Sequence, residues 1–489
     1  LRPMVATGLR VVSTGGTLKH LKDAGIPAID ISEQTGFAEV MDGRVKTLHP
    51  RVHMALLARV GNAEDDALLR KEDLQPFDLV IVNLYPFESA RNKGIKGIEL
   101  IEYIDIGGPS MLRAAAKNFE RAAVVCEPTD YAWITEKKTL SREDRLKLAG
   151  RVFKHTARYD DLIAKTFCDE EDKPITLVGT SVADLRYGEN PHQSAKWFRH
   201  AHAEDGLHKA EILHGKALSY NNLLDLDAAV GAVSDFTEPC AVAVKHGNPC
   251  GVGTESEIAG AVQRAIAADP VSVFGGIIAL NRKVDLAAAE AMANIFLECI
   301  VAPGFDDAAL ERLKRKKDLR LLSWPSLAQP MTENQYRSVA GGYLVQSPDA
   351  ITEREADCKI VGTQPSAQIW KDIWLAWKVC ARLKSNAIAI AQGGRTLGLG
   401  MGQVNRVDAV EHAIQRMNAH HAANGASVEG AVLASDAFFP FPDSIDKAAD
   451  AGIKWIVQPG GSIRDQDVFA RAELRGVNLI LTGKRHFRH

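Results

Sequence analysis

The chain is poor in the features that mark secreted, membrane or nucleic-acid-binding proteins. It has seven cysteines in 489 residues, an odd and scattered set. That argues against a disulfide framework. No Cys-x-x-Cys pair occurs, which argues against a structural zinc site. No apolar run approaches the roughly 20 residues needed to span a bilayer. The opening residues, Leu1-Arg2-Pro3-Met4, carry no apolar signal core. Charge of neither sign dominates: the net charge is -3, so no global basic field points to nucleic acid. Any anion site must be local. The expectation is a reduced, cytoplasmic protein with small-molecule substrates and neither a membrane nor a nucleic acid as partner. What remains is an ordinary globular composition, 46% hydrophobic and 25% charged. The length suggests about three domains.

The stretch from Val242 to Gly251, Val-Ala-Val-Lys-His-Gly-Asn-Pro-Cys-Gly, concentrates the chemistry of the larger part of the chain. An apolar run from Cys240 to Val244 reads as a buried strand. It gives way to a loop of Gly247, Asn248, Pro249 and Gly251, all turn formers. In open α/β sheets, ligands bind beyond the carboxyl ends of strands, and Lys245 and His246 occupy such an end. Histidine titrates near neutrality and can take a proton from a weakly nucleophilic amine. A neighbouring ammonium can stabilise an oxyanion. The bland reading is a loop with two exposed basic residues.

Earlier in the chain, Leu9–Val12 reads as a short strand. Ser13-Thr14-Gly15-Gly16-Thr17 follows, then a helix from about Leu18 to Ala24 closed by Gly25. A strand, a glycine loop and a helix start together make a phosphate cradle; the plain alternative is a tight turn. Arg44 and Lys46 lie two apart, so on a strand they share a face and suit a phosphate or an oxyanion. Asp78–Leu84 and Ala122–Cys126 read as buried parallel strands. Tyr85 sits at the end of the first. Ile-Asp105-Ile-Gly-Gly-Pro109-Ser leads into a helix over Met111–Asn118, where Arg113 and Lys117 stack on one face. Alternating strands and helices imply a doubly wound parallel sheet. The acidic, proline-ended run Asp169–Pro174 reads as a linker, which places a boundary near residue 173.

The second part opens with Arg186-Tyr187-Gly188-Glu189-Asn190-Pro191-His192-Gln193, a polar loop whose arginine can clamp a phosphate. Glu298 precedes a strand over Cys299–Ala302. Trp370, Trp374 and Trp377 repeat at helical spacing, a stripe that reads as core. Ser385–Ala391 with Gly393-Gly394 reads as a strand and tight hairpin. Ser435–Asp443 is unusually aromatic for a loop. It reads either as a stacking surface for a planar heterocycle or as a hydrophobic staple, with Asp443 capping a helix over Ile445–Ala451.

Several of these motifs also carry a resemblance. Lys-His-x-Asn-Pro-Cys-Gly, Gly-Arg-Val-Lys-Thr-Leu-His-Pro, Asn-Leu-Tyr-Pro-Phe, Ile-Asp-Ile-Gly-Gly-Pro and Arg-Tyr-Gly-Glu-Asn-Pro-His-Gln occur in order along essentially the whole chain. Together they resemble the bifunctional purine-biosynthesis family that joins aminoimidazole-carboxamide ribotide (AICAR) formyltransferase to IMP cyclohydrolase. The resemblance implies an α/β protein. A methylglyoxal-synthase-like cyclohydrolase domain would span residues 1–173. A formyltransferase domain of two cytidine-deaminase-like subdomains would span 174–489, roughly 174–345 and 346–489. It implies formyl transfer from 10-formyltetrahydrofolate to AICAR, giving FAICAR, then dehydrative closure of FAICAR to IMP.

In the transferase, the resemblance implies catalytic roles for Lys245, His246 and Asn386. It implies substrate contacts from Arg186, Tyr187, Gly276, Glu298, Arg406, Phe438, Phe441, Asp443 and Arg485. In the cyclohydrolase, Lys46, Tyr85, Asp105 and Lys117 would line the site, with Arg44 and Thr47 close by and Ser13, Gly15, Gly16 and Thr17 around the phosphate. The family is dimeric with shared transferase sites. It uses a folate co-substrate, with a monovalent cation such as potassium as a candidate companion, and no zinc. A departure is the missing Ser-x-Ser-Asp-Lys-x-Gly loop, in whose place stands Leu1–Gly8. The narrower reading is therefore a formyltransferase whose cyclohydrolase domain is impaired. A zinc nucleoside deaminase is a rival, but it needs His-x-Glu and Pro-Cys-x-x-Cys; His246 precedes Gly-Asn and Cys250 precedes Gly-Val-Gly. A non-enzymatic nucleotide-binding scaffold would have no use for Lys245-His246.

Overall fold

A computed structural model gives the fold; it describes all residues except 1, 7, 138, 170–174, 201–202, 328, 330–333, 422–424 and 426, and the Asp42 side chain. The acidic linker and the boundary near residue 173 lie outside the described residues. The chain forms two compact units, Leu1–Val178 and Gly179–His489. Among the described residues no helix is long and apolar enough to cross a membrane.

The first unit contains two parallel strand pairs. Val12–Ser13 pairs with Ile29–Asp30, and Leu79–Ile81 pairs with Ala123–Val125. These strands are shorter than their apolar runs suggest, and only Ala123–Val125 is buried throughout. The helices Gly107–Lys117 and Arg142–Phe167 supply Leu112, Ala115, Leu148 and Val152 to the core around Val124 and Val125. The long helix starts with a capping box, Ser141 with Asp144, which satisfies two otherwise orphaned amides. One expectation is corrected. Arg44 and Lys46 are not on a strand: a 3-10 turn over Met41–Gly43 precedes them, with Gly43 at positive φ.

The second unit is built on a sheet of twelve strands. Its two halves repeat one order of elements: helix, antiparallel hairpin, helix, then three parallel strands joined by helices. In the first half these are Tyr220–Val233, the hairpin Cys240–Lys245 with Asn248–Thr254, Ile258–Ala268, and strands Gly276–Leu280, Leu297–Ala302 and Arg320–Ser323. In the second they are Ala367–Arg382, the hairpin Ile388–Gln392 with Arg395–Gly400, Arg406–His420, and strands Val432–Ser435, Trp455–Gln458 and Asn478–Leu481. The halves meet where Arg395–Gly400 pairs with Asn248–Thr254, so one sheet runs through both. At equivalent places, Gly251 lies against the carbonyl of Ala265 and Gly398 against that of Ala413, each too close for a Cβ. Glycine there lets a helix lie directly on the strand.

On one sheet face a single core crosses both halves, from Leu226 and Val230 to Ile373 and Trp377; the opposite face holds two separate clusters. The tryptophan stripe belongs to this shared core: Trp377 is buried, while Trp370 and Trp374 stack on each other at its edge. Truncating a side chain such as Trp377 to alanine costs about 3–5 kcal/mol.

Candidate active sites

The Lys-His pair sits at a hairpin tip rather than at the end of a parallel strand. Cys240–Lys245 runs antiparallel to both of its neighbours, which corrects the placement drawn from parallel sheets. The loop is also shorter than its turn-forming residues suggested. Lys245 pairs directly with Asn248, leaving a two-residue turn of His246 (φ 54°) and Gly247 (φ 71°). Positive φ at both positions makes this a type I′ turn, whose twist matches the flanking strands. The sister hairpin in the second half meets this need with Gly393 (φ 60°) and Gly394 (φ 76°). A histidine held in the left-handed region costs roughly 1–2 kcal/mol that glycine avoids.

Lys245 Nζ donates to the carbonyl of Phe274 at 2.7 Å, which aims the ammonium along the start of Gly276–Leu280. Gly276 lies against the Val244 carbonyl, close enough that a Cβ would stand 2.8 Å from it. Both Lys245 and His246 line a cleft of about 220 Å³, together with Cys250, Asp269, His412 and Arg416. Burial pushes the Cys250 thiol up to about 12, so it stays protonated and unreactive. Asp269 accepts from the Ser272 amide and hydroxyl at 2.8 and 2.7 Å. Asn386 and Phe438 do not line this cleft.

Asn386 and Arg406 are brought together, but to each other. Arg406 is buried; it donates to Asn386 Oδ1 at 2.7 Å and Ser435 Oγ at 2.8 Å, and pairs with the fully buried Asp436. Asn386 Nδ2 donates to the Gln403 carbonyl at 2.8 Å. Asp436 was missed in the sequence, although it lies inside the aromatic stretch: a buried carboxylate gives no periodic signal. The link from this knot to the hairpin tip is Asn248, whose Oδ1 accepts from the Lys384 amide at 3.3 Å.

The remaining transferase candidates are dispersed. Glu298 meets Arg320 at 2.7 Å, so its carboxylate is already answered by a cation. Arg186 lies over the Tyr187 ring and Arg485 over the Phe487 ring, both with exposed side chains. Phe438 and Phe441 are exposed, and Arg464 stacks on Phe441. Asp443 is corrected from cap to first residue of the helix Asp443–Asp450, where Pro442 holds the cap position.

In the first unit a compact group does form. The Lys46 ammonium lies 3.1 Å from where a Cβ on Gly15 would stand, directly over the start of the helix Gly15–Asp23. Thr14 caps that helix without a side-chain bond, and Ser13, Gly16 and Thr17 flank the same start. Free amides at a helix start beside an ammonium suit a phosphate. Asp105 Oδ1 accepts from the Gly108 amide at 2.7 Å. Burial pushes the Asp105 carboxyl up, against amide bonds from Gly108 and Tyr85 and the charge of Lys46, which hold it down. Lys46, Tyr85 and Asp105 thus share one neighbourhood, and buried Thr47 packs against Gly107 beside them. Arg44 pairs with Glu102 at the surface. Lys117 stands apart, exposed in the last turn of Gly107–Lys117, about 15 Å along the helix at 1.5 Å per residue.

A family model described as the AICARFT/IMPCHase bienzyme matches residues 115–416, and one for the MGS-like domain matches residues 1–110. The chain is 48% identical over 500 aligned residues to the bifunctional purine biosynthesis protein PurH of Bacillus subtilis (strain 168), covering 100% of this chain and 96% of that one. It is 47% identical, with the same coverage, to PurH of Bacillus mycoides (strain KBAB4). With a match over most of its length and near-complete relatives of this identity, the chain belongs to the AICARFT/IMPCHase bienzyme family.

Proposed function

We propose that this enzyme performs both reactions of its family: formyl transfer to AICAR in the second unit and closure of FAICAR to IMP in the first. The observation that carries the transferase reading is His246 held at positive φ beside Lys245, where the sister hairpin has glycine. Strain kept at one of two equivalent turns is the mark of a working residue. The formyl donor is 10-formyltetrahydrofolate. The AICAR amine is conjugated with its ring and is a poor nucleophile. His246 takes its proton as the nitrogen attacks the formyl carbon. Lys245 balances the tetrahedral oxyanion until the bond to the folate nitrogen breaks; that nitrogen takes the proton from His246 and tetrahydrofolate leaves.

For ring closure, the carboxamide nitrogen attacks the formyl carbon and water departs. Lys46 and Tyr85 are the polar groups suited to the developing oxyanion, and Asp105 to moving the proton. Serine, glycine and threonine around residues 13–17 hold the phosphate. Formyl transfer alone, the narrower reading, is favoured by no observation.

The dispersed, exposed candidates Arg186, Phe441 and Arg485 support a homodimer in which a second copy completes each transferase site. Apolar Val271, Phe274 and Phe296 stand exposed near the tip. The cytoplasm is the compartment this chemistry suits. A monovalent cation such as potassium, which prefers a cage of oxygens, is a candidate companion of the transferase.

Two assays on one preparation test the reading. AICAR with 10-formyltetrahydrofolate should release tetrahydrofolate, and FAICAR supplied alone should give IMP. His246→Ala should abolish the first and spare the second. Equal formyl transfer in wild type and His246→Ala would remove the hairpin tip from the chemistry.

A further inference from the structure

We infer that Asp225 is a positioning residue for formyl transfer: its carboxylate holds the turn that presents Lys245 and His246. The inference rests on the function proposed for that turn. The Gly247 amide donates to Asp225 Oδ1 at 2.6 Å. Asp225 lies on the helix Tyr220–Val233, which Ser219 caps.

The repeat within the second unit shows what this contact is for. In the other half, Asp372 accepts from both turn amides, Gly393 at 2.9 Å and Gly394 at 2.9 Å. Asp372 lies on the helix Ala367–Arg382, which Ser366 caps. Each aspartate stands six residues after its capping serine and 22 residues before the second residue of its turn. The two carboxylates are therefore the same device, a helix-borne acceptor that fixes a hairpin tip. A hydrogen bond between an ionised carboxylate and a backbone amide is among the stronger ones.

The two halves use the device differently. The glycine turn needs no help to reach positive φ, and Asp372, buried in the core layer, serves the scaffold. The His246 turn is reached only against steric resistance, and only the Gly247 amide is held by Asp225. Asp225 therefore resists relaxation of the one backbone unit whose displacement would carry both Lys245 and His246 off line. A shift of about 1 Å at such a centre can cost on the order of a hundredfold in rate.

The test uses the full-length protein with Asp225→Ala and Asp225→Asn, and Asp372→Asn as the sister variant. Asparagine keeps an oxygen that can accept from Gly247; alanine does not. Expected results are a fall in formyl-transfer kcat of about ten- to a hundredfold in Asp225→Ala with the AICAR KM within about threefold, and recovery of most of that loss in Asp225→Asn. Asp372→Asn should lower the thermal midpoint of the transferase unit while kcat stays within about twofold. If Asp225→Ala folds with wild-type kcat, or if both Asp225 variants lose activity only in proportion to a lowered thermal midpoint, the inference is overturned. His246→Ala separates the two levels. A dead His246→Ala beside a fully active Asp225→Ala sinks this inference alone; an active His246→Ala sinks the reading of the turn itself.

Discussion

Arg406 donates through Nη2 to Oδ1 of Asn386 at 2.7 Å, and this bond fixes which way the asparagine amide faces. The same guanidinium answers Asp436, whose side chain is wholly buried. Buried charges are tolerated only in such pairs, and breaking one leaves its partner stranded.

Arg406→Ala should therefore destabilise the transferase unit by about 3–5 kcal/mol, because Asp436 loses its cation. Asn386→Ala should cost less, about 1–3 kcal/mol, since only one donor is orphaned. Urea midpoints of the two variants give the comparison; equal midpoints would mean that Asp436 has found water.

His486 carries a pH dependence. It is buried, with Nδ1 on Asp349 and Nε2 on Glu353, each at 2.8 Å. Burial alone would push it down, but those two bonds and charges outweigh burial and lift it to about 9 from an ordinary 6.5. A group raised on folding stabilises the fold fully below its unfolded value and loses that contribution as pH climbs through the folded one. The thermal midpoint of the transferase unit should thus fall by several degrees between pH 6.5 and 9.5. His486→Gln should start lower and show a flatter slope over the same range.

In the first unit, Asp105→Ala removes both a candidate proton carrier and the acceptor for the Gly108 amide. We expect IMP formation from FAICAR to fall at least a hundredfold, the lower range for losing a general acid or base, and helix stability to fall by about 1 kcal/mol. Formyl transfer by the same preparation should be unchanged. Loss of both activities together would mean that the variant acts through folding rather than through chemistry.

His246→Gly converts the working turn to the form of its sister. Glycine relieves the left-handed strain but adds freedom to the unfolded chain, so the thermal midpoint should hold or rise slightly. Formyl transfer should fall at least a hundredfold, the lower range for losing a general base. A midpoint that drops by several degrees would show that His246 is there for stability.

Much of this was legible from residues alone. The apolar run at Cys240–Val244 marks a buried strand and Ser385–Ala391 with Gly393-Gly394 marks a hairpin, because a strand buried on both faces reads as unbroken hydrophobics; that the first run also folds into a hairpin is not legible. The family resemblance implies one neighbourhood for Lys46, Tyr85, Asp105 and Lys117; the first three share it, while Lys117 lies at the far end of its helix. Strand direction was not legible: a buried antiparallel strand has the same composition as a parallel one, so Lys245 was set at the wrong kind of strand end. Nor was the mutual bonding of Arg406, Asn386 and Asp436, which depends on contacts 20 to 30 residues apart. The aspartate-to-turn spacing was visible twice in the sequence, but it gains meaning only when the halves are superimposed.

The seam between Asn248–Thr254 and Arg395–Gly400 has a mechanical consequence. Because each half completes its sheet on the other, separating them would bare two unpaired strand borders lined with unmet amides and carbonyls, and would split a shared apolar layer. Residues 179–489 should therefore melt in a calorimeter as one cooperative block.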